Sequence, residues 1–143
     1  MTRLATASVT SSASSDAFFA RWGDMATWPE WNLDTEWVRL DGPFIEGATG
    51  TLKPKGGPKV PFVVERLVLG REFTDVSKLV GARLTFRHLV EQHAAGCTVS
   101  VEVTLTGPLA PFWRLVLGKG IHTSMQPDLE RLAAAAERAS VES

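Results

Sequence analysis

The sequence predicts an α+β fold in which helices gather on one face of a seven-stranded antiparallel sheet. Three observations predict it. In "CTVSVEVTLTG" (97–107), Cys97, Val99, Val101, Val103 and Leu105 alternate with Thr98, Ser100, Glu102, Thr104 and Thr106, the pattern of a strand apolar on one face and wet on the other. After Gly107-Pro108 the period changes. Trp113, Leu117, Ile121, Met125, Leu129, Leu132 and Ala136 recur at steps of three or four, which gives one long terminal helix. Between the first strand and the remaining six lies a stretch with helical character.

The elements follow in order. Ala5, Ala7 and Val9 alternate with Thr6, Ser8 and Thr10 as a first strand. Ser14 or Ser15 can cap a short helix with Asp16 in its first turn and Phe18, Phe19 and Trp22 on its apolar face; Gly23 ends it. "MATWPEW" adds one more helical turn limited by Pro29. Six strands then follow: "TEWVRLDG", the glycine-rich "GATGTLKPKGG", "KVPFVVERLVLG", "REFTDVSKLVGA", "ARLTFRHLVEQHAAG" and "CTVSVEVTLTG", with Ala94-Ala95-Gly96 turning between the last two. The terminal helix is expected to bend or break near Gly118, Gly120 and Pro127. A long curved sheet does not close over one helical stripe, so a cavity is expected between them.

Bulk properties exclude several classes. The 143 residues fit one domain, taken as residues 1–143. Fifteen Lys and Arg against 16 Asp and Glu leave no basic stripe for nucleic acid. A lone cysteine, Cys97, excludes an internal disulfide. No apolar run is long enough to span a bilayer and no signal peptide opens the chain, so a cytoplasmic protein is expected. Three scattered histidines and one cysteine match no metal spacing, and no cofactor motif is visible; "GGPK" (56–59) lacks phosphate-loop spacing.

The order of elements, "TWPEWN" (27–32), "GPFIEGATGTLKPKGG" with Gly47 and Gly50, and the late hairpin "FRHLVEQHAAGCTVSVEVTLTGP" resemble the START-like, polyketide cyclase/dehydrase and birch-pollen-allergen superfamily (SRPBCC). The resemblance covers nearly the whole chain. It implies the helix-grip architecture, a seven-stranded curved sheet around a long C-terminal helix. It also implies a role among those of the superfamily: lipid carriers, hormone receptors and aromatase/cyclases. The cyclases rely on inward Arg, Tyr, Ser and Asn, whereas this chain has no tyrosine.

Five tryptophans and seven phenylalanines supply the apolar bulk, and Trp28, Trp31 and Trp37 fall within ten positions. Trp28 and Trp31 read as plugs closing the open end of the sheet. Trp37 reads as a ligand contact, because its strand should face the helix. His88 shares a face with Leu84, Phe86 and Val90 and reads as a buried structural histidine, or as a general acid or base if it is functional. Glu65, Arg66 and Asp75 sit in apolar strands, so one charge must enter the interior unless a bulge intervenes; an inward Arg66 would anchor a carboxylate or phenolate. The wall of the cavity is then expected to include Trp37, Arg66, Phe86, His88, Val101, Trp113, Leu117, Ile121 and Met125, with no dense cluster of inward polar groups. The reading is a binding or transport protein for a hydrophobic small molecule, lipid or aromatic and polyketide-like. A cyclase/dehydratase using His88 or Arg66 and a protein-interaction module are the alternatives. No nucleic-acid partner is expected, and homodimerisation is left open.

Overall fold

The computed structural model describes the backbone of residues 2–142 and the side chains of residues 3–138. The chain runs β1 (Thr2–Ser11), α1 (Ser15–Gly23), a 3-10 turn (Met25–Glu30), β2 (Thr35–Leu40), β3 (Thr49–Pro54), β4 (Val60–Val68), β5 (Glu72–Leu79), β6 (Ala82–His93), β7 (Gly96–Thr106) and α2 (Ala110–Glu142). The seven strands form one antiparallel sheet in the order β1-β7-β6-β5-β4-β3-β2. This is the helix-grip arrangement that the sequence predicts.

That order makes β1 and β2, neighbours in sequence, the two edges of the sheet. Residues 12–34 must therefore cross its whole width, six strand spacings or about 29 Å if the sheet were flat. The crossing is made by α1 and the 3-10 turn, so these elements cover one end of the concave face. Ser14 caps α1, its hydroxyl accepting from the Ala17 N–H at 3.3 Å. Phe18, Phe19 and Trp22 are buried beneath the helix.

Three register shifts bend the ladder, in β1 at Leu4, in β2 at Glu36 and in β4 at Glu65. Each inserts one extra residue, which raises the local twist and curls the strand. The shift in β4 decides where the charges of that strand go. Phe62 and Val64 point to the core, Val64 opposite Asp75, but the next register pair is Arg66 with Thr74. Glu65 is the extra residue, and the inward pattern resumes at Leu67. Both Glu65 and Arg66 are left in solvent, while Asp75 on β5 is the charge that enters the core.

α2 runs unbroken through Gly118, Gly120 and Pro127, so of the bend or break the sequence suggests, the break is absent. Its two halves differ in packing. Leu129, Leu132, Ala133, Ala135 and Ala136 are fully buried, the alanines allowing close approach to the rest of the fold, whereas Trp113, Leu117, Ile121 and Met125 are only partly buried. The buried half is also the good helix former, "LERLAAAAERA". It carries the first half through residues that would otherwise end it. It is held at its sides as well: Arg131 donates to the Trp31 carbonyl, Arg21 of α1 donates to the Ala135 carbonyl, and Ser11 donates to Glu137.

Gly50 is required by the packing. A Cβ there would lie 2.4 Å from both the Arg39 carbonyl oxygen and the Phe62 ring. Gly50→Ala is expected to lower stability by roughly 1–3 kcal/mol in urea unfolding, the usual cost of an overpacked core.

Candidate functional site: a small cavity beside a buried histidine

The concave face is largely filled by rings. Trp22 lies at the centre, with centroids 6.0 Å from Phe18, 5.0 Å from Phe19, 5.5 Å from Phe73 and 5.1 Å from His88. His88 stacks on Phe73, 4.9 Å apart and 14° from parallel. Trp28 donates from Nε1 to the Trp22 carbonyl at 3.1 Å and packs against Trp31. Trp28 and Trp31 thus plug the end of the sheet, as the sequence suggests. What remains is a cavity of about 80 Å³ lined by Trp22, Trp31, Phe86, His88, Val101 and Met125, with Asn32, Asp128, Leu129 and Leu132 completing it. Pockets for drug-sized ligands run to roughly 300–1,000 Å³, so this space takes a group of a few heavy atoms.

The polar groups around it are unusual for an apolar core. His88 hydrogen-bonds through Nδ1 to the Phe73 carbonyl oxygen at 2.8 Å. A carbonyl only accepts, so Nδ1 carries the proton, and Nε2 of the neutral ring is left with a bare lone pair. Nε2 makes no hydrogen bond to the protein among the described residues. Burial pulls the His88 pKa down to about 4, against the opposing effect of the Phe73 hydrogen bond. Asp75 of β5, opposite Phe86 of β6, is pushed up to about 7 by burial, with its own backbone N–H opposing. Nδ1 of His88 and Oδ1 of Asp75 are 3.9 Å apart, beyond hydrogen-bonding reach. With the imidazole uncharged at neutral pH, this is a contact between a neutral ring and a carboxyl near its midpoint, and not an ion pair.

Three buried polar atoms lack hydrogen-bond partners: Trp22 Nε1, Trp31 Nε1 and Asp75 Oδ1. Each such group costs about 1–3 kcal/mol. Both indoles belong to residues that line the cavity, as does the imidazole. Residues that carry two unpartnered donors and one free acceptor thus stand among those that line an otherwise apolar cavity. At the rim, Asp128 is bound by Arg131; burial nevertheless leaves its pKa raised, against the lowering effects of the Arg131 hydrogen bond and charge.

Several residues expected in the wall lie elsewhere. Trp37 is on the outer face, because Val38 and Leu40 take the inward positions of β2; its ring lies 6.0 Å from the Arg39 guanidinium and 5.9 Å from the Lys59 ammonium. Arg66, displaced by the β4 bulge, is 62% exposed and pairs with Glu72, which also binds Arg87. Trp113, Leu117 and Ile121 pack under the first half of α2 but do not reach the cavity. Phe86, His88, Val101 and Met125 do line it. Outside the cavity lining, Asp75 and Ser77 of β5 are both buried, and Asp75, the strand charge that enters the interior, lies beside His88. The sequence signal for this was alternation in "FTDVS", which puts Asp75 on the face of Phe73. Asn32 and Asp128 carried no signal, since only the fold brings the 3-10 turn against α2. Among the described residues no group of His, Cys, Asp and Glu could hold a metal ion, and no helix is long and apolar enough to cross a membrane.

A curled seven-stranded sheet, a long covering helix and a polar-tipped apolar cavity define a helix-grip protein. The chain belongs to the polyketide cyclase/dehydrase and lipid transport family, whose model matches residues 2–137. Among solved structures it is similar to hypothetical protein jhp0584 of Helicobacter pylori, with TM-score 0.74 and 13% identity over 92% of this chain and 86% of that one. It is similar to the di-domain ARO/CYC StfQ of the steffimycin biosynthetic pathway, with TM-score 0.73 and 12% identity over 94% of this chain and 50% of that one. It is also similar to DynU16, a protein of the dynemicin biosynthetic locus, with TM-score 0.68 and 16% identity over 93% of this chain and 46% of that one. At these identities the likeness is one of fold. No protein of curated function is significantly similar to the chain.

Replacing Asp75 by Asn tests the buried carboxyl. Its folded pKa lies above the unfolded value, so its ionisation destabilises the fold progressively as pH rises from about 4 to about 7. His88 works in the opposite sense: its folded pKa lies below the unfolded one, so stability is regained as pH rises from about 4 to 6.5. The two largely offset one another in the native protein. Asp75→Asn removes the first alone. Its stability relative to the native protein is expected to rise between pH 4 and pH 7, by of order 1–4 kcal/mol, in urea titrations at each pH.

Proposed function

We propose that the protein binds a hydrophobic small molecule, a lipid or an aromatic polyketide-like compound, with an oxygen-bearing end seated beside His88. The observation that carries the reading is a trio of cavity-lining residues, Trp22, Trp31 and His88, whose indole N–H groups lack acceptors and whose imidazole Nε2 lacks a donor, so that a small side-chain shift would bring them to a ligand. A ligand hydroxyl or enol can donate to Nε2, and a carbonyl or ether oxygen can accept from Trp22 or Trp31. The apolar remainder of the ligand would meet Phe86, Val101, Met125 and Leu132.

The cavity of about 80 Å³ holds only the polar end. The rest of such a ligand would enter beside the first half of α2, which is less deeply packed than the second. Pro127 lacks the N–H that would bond the Thr123 carbonyl, and Gly118 and Gly120 weaken the preceding turns. Met125 and Asp128, on either side of Pro127, stand at the cavity. Lifting the first half of α2 about Pro127 would widen the cavity and leave the buried second half in place, but it would break the paired Gln126–Ser8 hydrogen bonds to β1 and the Trp113–Val80 bond to the β5–β6 turn.

A second reading is supported by the Asp75–His88 contact: proton transfer on a bound polyketide-like substrate, in a cyclase/dehydratase role. An imidazole held near pKa 4 is a weak base at neutral pH, whereas a carboxyl near 7 is matched to it. Asp75, however, lies behind His88 and is not among the residues lining the cavity, which favours binding over chemistry.

Native mass spectrometry of protein purified from its host is expected to show a retained hydrophobic molecule, and palmitate or a hydroxyanthraquinone should quench tryptophan fluorescence saturably. His88→Ala is expected to weaken binding about fivefold, one hydrogen bond's worth; an enzyme using His88 as acid or base would instead lose roughly 10²–10⁴ in rate. Pro127→Ala should raise thermal stability and slow ligand exchange. Absence of quenching by every hydrophobic probe would remove the binding reading.

A further inference from the structure

The end of the molecule formed by the β5–β6 turn and the start of α2 presents an uncovered apolar cluster. Val80 at the tip of the turn is 77% exposed, Phe112 54%, Leu115 86% and Val116 55%, with Leu109 42% exposed between them. The two segments are fixed to one another. Leu109 donates its N–H to the Gly81 carbonyl at 2.9 Å, and Trp113 donates from Nε1 to the Val80 carbonyl at 2.8 Å. A Cβ on Gly81 would lie 2.6 Å from the Leu109 side chain, so the turn and the helix start are in close contact. These side chains stand exposed on segments held to one another.

The charges around it are of one sign. No Asp or Glu occurs from Val76 to Val90 or from Val103 to Pro127. Lys78 and Arg83 face each other across the β5–β6 ladder, and both are exposed. Like charges directly opposite on an antiparallel pair are unfavourable. Neither is relieved by an acidic partner among the described residues, whereas Arg66 and Arg87 on the same sheet share Glu72. Arg114 and Lys119 add two more exposed cations along α2, also without acidic partners among the described residues. A chain of formal net charge −1 thus places unpaired positive charge around this exposed apolar cluster.

We infer that this end docks on an anionic lipid bilayer, Val80, Phe112, Leu115 and Val116 entering the interface while Lys78, Arg83, Arg114 and Lys119 meet the headgroup phosphates and carboxylates. The amphipathic logic is that of an interfacial helix: apolar side chains gain burial, and flanking cations are drawn to the anionic lipid. The same charges count against a second copy as occupant. A two-fold dimer through this surface would bring each cation cluster against its own image. A bilayer of anionic lipid complements both the charge and the exposed apolar cluster. The inference stands independently of what the cavity binds.

The test is co-sedimentation of the full chain, without added ligand, with vesicles of phosphatidylcholine alone and of phosphatidylcholine with phosphatidylserine. Partition is expected to be at least roughly tenfold stronger with phosphatidylserine and to fall at high salt. Lys78→Glu with Arg83→Glu should abolish the preference for anionic vesicles. Phe112→Ser with Leu115→Ser should abolish partition into either. Trp113, 5.3 Å from Phe112, should shift its emission to shorter wavelength on binding in the native protein. Both double variants alter exposed positions, and unchanged melting would show that they fold. Equal partition of native and variant proteins, or none, would overturn the inference. So would light scattering that finds a concentration-dependent dimer broken by Phe112→Ser, which would give the surface to a second copy.

Discussion

The packing of Trp22 against Phe73 and His88 is the contact on which the rest of the concave face depends. It joins α1, the middle strands and the covering helix at one point where Trp22 and Phe73 are fully buried and His88 nearly so. Because β1 and β2 occupy opposite edges, the chain between them has to cross the sheet, and α1 is the element that brings Trp22 over its centre. Once the indole is there, His88 is confined between two rings and turned so that Nδ1 meets the Phe73 carbonyl. The tautomer, the bare Nε2 and the depressed basicity all follow from that confinement. The cavity is the space that one indole and one helix leave over.

The fold was legible because its signals are local and repeated. Alternation in 97–107 and the three-to-four spacing after Trp113 each persist long enough to outvote local irregularities. The Ser14 cap, the 3-10 turn at Pro29 and the Ala94-Ala95 hairpin were likewise written in short stretches. The site was less legible because it rests on single-residue shifts. One bulge at Glu65 sends Arg66 outward, and the inward positions in β2 belong to Val38 and Leu40, which leaves Trp37 outside. Neither residue differs chemically from one that would have pointed in. Phe86, His88 and Val101 were recoverable since β6 and β7 hold their register without interruption. Trp113, Leu117 and Ile121 were placed on the right face of α2, but which part of a stripe overlies a gap is a question of tertiary distance.

α2 also shows why local propensity alone argues for an interruption inside a helix that stays continuous. Two glycines and an interior proline in "LGKGIHTSMQP" argue for a break. They were outweighed because the following turns bury Leu129, Leu132 and three alanines, and because Arg131, Arg21 and Glu137 fasten that half to its neighbours. Tertiary burial of one half holds the other in helical register. The cost is stored at Pro127 and not removed: the Thr123 carbonyl still has no N–H from residue 127 to accept. Strain of this kind, kept where the helix passes the cavity, gives α2 a weak turn between a secured half and a loosely packed one.

That asymmetry bears on both proposals. The loosely packed half of α2 begins at the exposed Phe112 and ends at Met125, which touches the cavity. A ligand too large for 80 Å³ requires this half to move, and the apolar side chains at its far end gain burial only against a surface outside the molecule. If contact with a bilayer favours the lifted position, the free energy of interfacial insertion contributes directly to opening, since each interaction acts on the same rigid segment. The coupling is then set by how much more of Phe112, Leu115 and Val116 the lifted helix can insert than the closed one. A helix that pivots at Pro127, giving up its Gln126–Ser8 and Trp113–Val80 bonds, would transmit that difference. The Pro127→Ala helix, its missing hydrogen bond restored, would resist it, so vesicles should accelerate ligand exchange in the native chain more than in that variant.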